Sequence, residues 1–216
     1  MRLEAHLRLQ WQPAALVLVV GGPLAVQGYD ASRRIESARI YGDVGGYAYY
    51  FIDLLIGTPR PQRASVIVDT GSTVCAFPCS SCSHCGTHLD AAFDMSRSKT
   101  SSWVGCGGGG CSRCKHGRCS YLQSYTEGSS ISGSWFTDFV AIGDEIQHNP
   151  PVRARLGCHS QETRLFYTQK ANGIFGMAPG PSGRPTILQD IFQDKAHIDT
   201  ALFAMCLSEH GGLLTV

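Results

Sequence analysis

Apolar residues in this chain come in short runs broken by Gly, Pro, Asn, Asp and Ser, and rarely fall at the three-to-four-residue spacing of an amphipathic helix. Beyond the N-terminal segment, Gly45–Ile56 is a β-rich stretch stopped by Gly57-Thr58-Pro59, and Gln62–Val68 follows after a short loop. The two form a hairpin-like unit whose second strand ends at Asp69. From Ser120 to Val140, two β-patterned arms enclose a polar, Gly-containing tip, which predicts a hairpin with Tyr125 near its turn. Val152–Cys158 reads as another strand. Asn172–Pro179 is an apolar run set between Gly173 and Gly176, where backbone must pass close to backbone. A short helix is predicted over Pro185–Phe192, started by Thr186, and Ala201–Leu207 and Gly212–Val216 read as closing strands. The pattern predicts a mainly β protein of short strands and tight turns.

Within this pattern, Val66-Ile67-Val68-Asp69-Thr70-Gly71-Ser72 stands apart. A β-branched strand is normally buried on at least one face, so a carboxylate at its end is held where water is scarce and needs a task or a partner. Asp and Gly are also ordinary turn residues, and this stretch alone is equally a strand ending in an Asp-Thr-Gly turn. Other chemistries find less support. No Gly-x-Ser-x-Gly elbow is present, and Gly107–Gly110 lacks the Lys-Ser/Thr of a phosphate loop.

Composition narrows the class. Of 216 residues, 43% are hydrophobic and 16% charged, as in a globular protein, and a net charge of +1 leaves no electrostatic footprint for nucleic acid. The N-terminus carries Arg2 and Arg8 and then an apolar run to Val26, broken by Gly21, Gly22 and Pro23. That layout predicts a secretory signal peptide over residues 1–28, with Val26 and Gly28 small enough for the cleavage-site positions. No other segment approaches a membrane span.

A secretory chain with ten cysteines passes through an oxidising lumen. Seven of them (Cys79, Cys82, Cys85, Cys106, Cys111, Cys114 and Cys119) fall in a segment too poor in apolar residues to build its own core. Close spacing of Cys79, Cys82, Cys85 and His88, and of Cys111 and Cys114, also fits zinc ligands, but the compartment favours disulfides. All ten are disulfide candidates, with Cys75, Cys158 and Cys206 the remainder, and the pairing is not readable from sequence. No metal and no cofactor is expected.

The motifs then assemble in order. Ile56-Gly57-Thr58-Pro59, Val68-Asp69-Thr70-Gly71-Ser72, Tyr125-x-x-Gly128-Ser129 and Gly173-Ile174-Phe175-Gly176 together resemble the N-terminal lobe of a pepsin-like aspartic protease. The Cys-rich segment resembles the nepenthesin-type insert. Phe77-Pro78-Cys79, Ser98–Ser102, Gln123–Gly133, Gly157-Cys158-His159 and Cys206–Glu209 are similar to the plasmepsin V type of that family. The resemblance covers nearly everything from Tyr47 to Val216. It implies a mainly β lobe of orthogonally packed sheets or half-barrel form, with short helices and a disulfide-rich insert at about 78–120.

It also implies a reaction, peptide-bond hydrolysis by a water held between two aspartates, one per lobe, with polypeptides as substrates. Asp69 matches the first aspartate. By the same resemblance Gly71 offers its backbone near the carboxylates, Ser72 bonds the outer oxygen of Asp69, and Thr70 ties the lobes together. Tyr125 and Gly128 match the flap. Glu127 is expected to pair with a substrate arginine in Arg-x-Leu-type export motifs, with Glu162 as a second acid. Localisation in the secretory pathway, at the endoplasmic reticulum, follows from the same resemblance.

Departures from the family pattern are equally specific. Ala76 stands where pepsins carry a Trp that bonds the flap tyrosine, Thr126 stands where the plasmepsin V type has an unpaired Cys, and Cys75 has no counterpart. No second Asp-Thr/Ser-Gly occurs in the 216 residues. The reading therefore expects a fragment, residues 29–216 forming one lobe and a C-terminal lobe, with or without a membrane anchor, lying beyond Val216. The alternatives are a non-catalytic, disulfide-stapled binding lobe and, third, a zinc module. Without a partner lobe, Leu202, Phe203, Leu213 and Val216 are expected to be exposed.

Overall fold

Period-two alternation puts Ile52, Leu54 and Ile56 of one strand and Ala64 and Val66 of the next on a common buried face, and that face starts the core. The computed structural model describes residues 28–107, 110–145, 148–180 and 186–216. The expected signal peptide lies, but for Gly28, outside the described residues, as do Pro185 and two of the four consecutive glycines.

Among the described residues thirteen strands form one sheet system. A short β1 (Tyr29–Asp30) pairs with β2 (Ile35–Asp43), which leads through β3 (Tyr49–Ile56) to β4 (Gln62–Asp69). After the turn come β5 (Cys75–Pro78), then β6 (Ser102–Trp103) and β7 (Cys114–Lys115) inside the Cys-rich insert. The long pair β8 (Arg118–Ser124) and β9 (Ser130–Ile142) makes the predicted hairpin, and β10 (Val152–Glu162) returns along β9. A four-residue helix α1 (Leu165–Thr168) precedes β11 (Gly173–Gly176). Helix α2 (Ile187–Gln193) then leads to β12 (Ala204–Ser208) and β13 (Gly211–Thr215). Thr186 caps α2 as expected, its Oγ1 accepting from the Gln189 N–H while the Gln189 side chain accepts from the Thr186 N–H.

The order β3-β4-β11-β5-β10-β9 closes on itself, because Leu54–Ile56 of β3 pair with Val140–Ile142 of β9. Closure removes two sheet edges and encloses a core containing Ile52, Leu54, Phe77, Phe136, Leu156 and Phe175, all fully buried. A second apolar cluster, made by Val74, Ala76, Tyr121, Ile131, Phe166 and Ile174, lies outside the first and beneath the hairpin tip.

Four disulfides hold the insert: Cys79–Cys158, Cys82–Cys85, Cys106–Cys114 and Cys111–Cys119. The first follows from the sheet, since parallel pairing sets Cys158 opposite Phe77, two residues from Cys79. Two of the ten candidates are corrected: Cys75 and Cys206 are free. Cys75 is buried in the central strand β5, while Cys206 is exposed on the edge strand β12. Leu202 is 52% exposed, and Phe203 and Leu213 are half-buried. Val216 departs from expectation at 5% exposure, because its backbone exchanges two hydrogen bonds with Glu36 of β2.

Candidate functional site

Asp69 ends β4 beside β11, whose Gly176 lies in register with it, and its carbonyl accepts from the Met177 N–H at 2.8 Å. The chain then turns through Thr70–Val74 and re-enters as β5 on the other side of β11. This straddled strand explains the two glycines. A Cβ on Gly176 would sit 2.5 Å from the Val74 nitrogen, and one on Gly173 would overlap the Ala76 carbonyl. Within the turn, the Gly71 N–H donates to Asp69 Oδ1 at 2.9 Å and orients the carboxylate.

The hairpin β8–β9 folds over this turn. Its tip closes with the Tyr125 N–H donating to Ser129 O at 2.9 Å and the Gly128 N–H to Tyr125 O at 3.0 Å, with Gly128 at a φ of +93°. The segment after β10 clamps the base. The Ser130 N–H donates to Thr163 Oγ1 at 2.8 Å, and the Leu165 N–H donates to Ser129 Oγ at 3.2 Å. The Arg164 guanidinium reaches the Glu127 carbonyl at 3.4 Å.

Tyr125 is held without a tryptophan. Its ring packs on Phe166 with centroids 5.0 Å apart, and Ala76 is part of the apolar bed below. Its hydroxyl lies beside that of Ser72, and neither completes a hydrogen bond. Burial, opposed by the Ser72 hydroxyl and reinforced by the Asp69 and Glu127 carboxylates, pushes the Tyr125 phenol up, so it stays neutral and able to donate. The expected bond from Ser72 to Asp69 is not formed: the Ser72 hydroxyl is buried and has no hydrogen-bond partner. Thr70 is exposed at the rim of the turn.

A cleft of about 450 Å³ joins these parts, lined by Asp69, Tyr125 and Glu127 together with Tyr49, Phe166 and Gln169. Sequence reasoning missed the last three. Tyr49 is fixed there by the Lys170 and Ala171 N–H groups, which donate to its hydroxyl at 2.9 and 3.1 Å. Phe166 sits on a helix of four residues, too short for any periodic signal.

Glu162 requires a correction. It was expected to meet substrate, yet it is fully buried. Oε1 accepts from His159 Nδ1 at 2.8 Å, while Oε2 is bonded to His88 Nε2 and to the Gly86 N–H, each at 3.0 Å. It therefore fastens the insert to β10 and does not line the cleft. His88, the candidate zinc ligand, is committed to the same carboxylate, and Cys79, Cys82 and Cys85 are in disulfides. Among the described residues no group of three or more His, Cys, Asp or Glu is arranged to hold a metal ion.

The family model described as Xylanase inhibitor N-terminal matches residues 50–216. Aspartic protease 5 of Toxoplasma gondii is 48% identical over 217 residues, covering 91% of this chain and 22% of that protein. Plasmepsin V of Plasmodium falciparum is 39% identical over 191 residues, covering 86% of this chain and 32% of the relative. Aspartic proteinase nepenthesin-1 of Nepenthes gracilis is 27% identical over 194 residues, 83% of this chain and 41% of the relative. The chain thus spans between about a fifth and two fifths of the length of these relatives.

Proposed function

The chain belongs to the pepsin-like aspartic protease family through its N-terminal lobe, and on that premise we propose that it supplies one half of the catalytic dyad of a secretory-pathway endopeptidase. The observation that carries this reading is the placement of Asp69, Tyr125 and Glu127 on one cleft, with the hairpin tip above the carboxylate.

Asp69 would share a proton with an aspartate from a second lobe, because two carboxylates so close cannot both ionise. The ionised partner takes a proton from the attacking water as the protonated one hydrogen-bonds the scissile carbonyl. The Tyr125 hairpin closes over the substrate and excludes bulk water. Glu127, exposed at the tip, offers a carboxylate to a substrate guanidinium in a charge-assisted bond, and Gln169 lies on the same wall. The Arg-x-Leu preference rests on Glu127. Localisation in an oxidising lumen, at the endoplasmic reticulum, is supported by the four disulfides.

The second reading is a non-catalytic, disulfide-stapled binding lobe, for which the four disulfides are the observation. Downstream coding sequence that contains an Asp-Thr/Ser-Gly separates the two. The functional test is cleavage by the full-length protein of matched peptides with Arg-x-Leu or Ala-x-Leu. We expect a kcat/KM at least about tenfold higher for the arginine peptide, lost in Glu127→Ala. Equal rates on the two peptides would refute the specificity, and no cleavage of either would refute the enzyme.

A further inference from the structure

Four disulfides tie this lobe, and they are not equivalent. Cys79–Cys158 spans 79 residues and both its cysteines are buried, whereas Cys82–Cys85 spans three. A bond that closes so short a loop constrains the unfolded chain least, so of the four it does least for stability. Cys82 and Cys85 are half-buried and line a surface groove of about 400 Å³ that includes Gly86, His88 and Leu89. Ser83 and His84 between them are exposed. The Cys-x-x-Cys spacing keeps both thiols of the reduced form adjacent, so that a mixed disulfide at one is within reach of the other.

The loop is also wired to the cleft. The His84 carbonyl accepts from the Glu162 N–H at 2.8 Å, and the His84 ring stacks on Tyr167 with centroids 4.9 Å apart. Directly after Cys85, Gly86 and His88 both bond Glu162. Gly86 packs so tightly on the Tyr167 carbonyl that a Cβ there would overlap it. Tyr167 belongs to α1, whose Phe166 supports the Tyr125 ring. One strand of contacts therefore runs from the Cys82–Cys85 bond to the lid over Asp69.

We propose that Cys82–Cys85 is a thiol–disulfide exchange site, opened by a dithiol reductant, whose reduction loosens α1 and the hairpin above Asp69. A thiolate of the donor attacks one sulfur of the pair. The S–S bond breaks, its electron pair passes to the other sulfur, and that sulfur takes a proton. The donor's second thiol then opens the mixed disulfide and releases the remaining cysteine as a thiol. Two electrons and two protons have moved to Cys82 and Cys85, and the donor leaves as a disulfide. The effect on cleavage rests on the protease reading above; the exchange itself does not.

The test uses full-length protein with its accessible free thiols blocked under native conditions. Graded dithiothreitol is followed by a second alkylating tag and peptide mapping. Cys82 and Cys85 are expected to take the tag together, at a dithiothreitol concentration at least about tenfold below that needed for the other three pairs. Labelling at the same concentration as Cys106, Cys111, Cys114 and Cys119, or after them, overturns the exchange site. At the lower concentration, cleavage of an Arg-x-Leu peptide should fall at least about fivefold and recover with oxidised glutathione. The Cys82→Ser/Cys85→Ser double variant should match the reduced protein and ignore mild reductant. Cleavage unaffected by reduction overturns the coupling to the lid. An oxidised protein that cleaves nothing refutes the protease reading, while the labelling order still decides the exchange site.

Discussion

The Glu162 carboxyl feels two opposed influences: burial alone would raise its pKa, yet bonds from His159, His88 and the Gly86 N–H hold it down to about 2, from an ordinary 4.5. A depressed acid stabilises the fold above its unfolded pKa, and that contribution is lost as pH falls from 4.5 to about 2. The full shift corresponds to about 3 kcal/mol. His88, lowered by burial but raised by the same carboxylate to a net upward shift, adds stability that is complete below 6.5 and fades as pH rises through its folded value. Glu162→Gln should therefore cost about 3–5 kcal/mol at pH 6 and flatten the acid limb of a melting-temperature profile. An unchanged limb between pH 5 and pH 3 would contradict the pairing. Glu36 behaves oppositely. It is 1% exposed, and burial pushes its carboxyl to about 7, with His197 lowering and Asp194 raising it. The folded state then binds the extra proton, so stability falls as pH rises from 4.5 to about 7. Glu36→Gln should gain about 2–3 kcal/mol relative to the parent at pH 8 and lose that advantage at pH 4, as read by denaturant unfolding.

At the level of elements, the straddled strand β11 is the most demanding piece. Gly176→Ala would place a Cβ 2.5 Å from the Val74 nitrogen, against backbone that cannot yield without parting β11 from the turn between β4 and β5. A loss of about 4 kcal/mol or more, or no soluble protein, is expected. Gly105→Ala meets nothing within 4 Å and should stay within about 0.5 kcal/mol of the parent by thermal melt. The glycines around Ile174 and Phe175 announced this close approach in the sequence, the β-branched run announced the end of β4, and two β-patterned arms around a polar tip announced the β8–β9 hairpin. Strand β2 was not legible, because its buried face carries Glu36 beside Ala38 and Ile40, and a charge breaks the alternation. Helix α1 was too short to show a period. The disulfide partners were illegible for another reason: Cys79 meets Cys158 only because β5 and β10 pair in parallel. Glu162 likewise gained two of its three partners, Gly86 and His88, from the insert 76 and 74 residues away, and only His159 lies near it in sequence, so its role could not be inferred locally.

At the scale of the molecule, the closed ring of strands makes a floor, and two features at the surface of the described residues stand out beside the groove at Cys82–Cys85. One is the cleft beneath the hairpin. The other is the β12–β13 edge, where Leu202 and Leu207 are 52% and 48% exposed and Cys206 is free. Under the two proposals above, redox state, pH and the hairpin tip would meet at Glu162 and α1, outside the turn that holds Asp69, so each can be altered while Asp69 is left in place. The most direct test of the account is therefore Asp69→Asn in the full-length protein, with single-turnover cleavage and binding of one Arg-x-Leu peptide measured side by side. The account predicts that kcat falls by about three orders of magnitude or more while binding changes by less than about threefold. Turnover within about tenfold of the parent would contradict it.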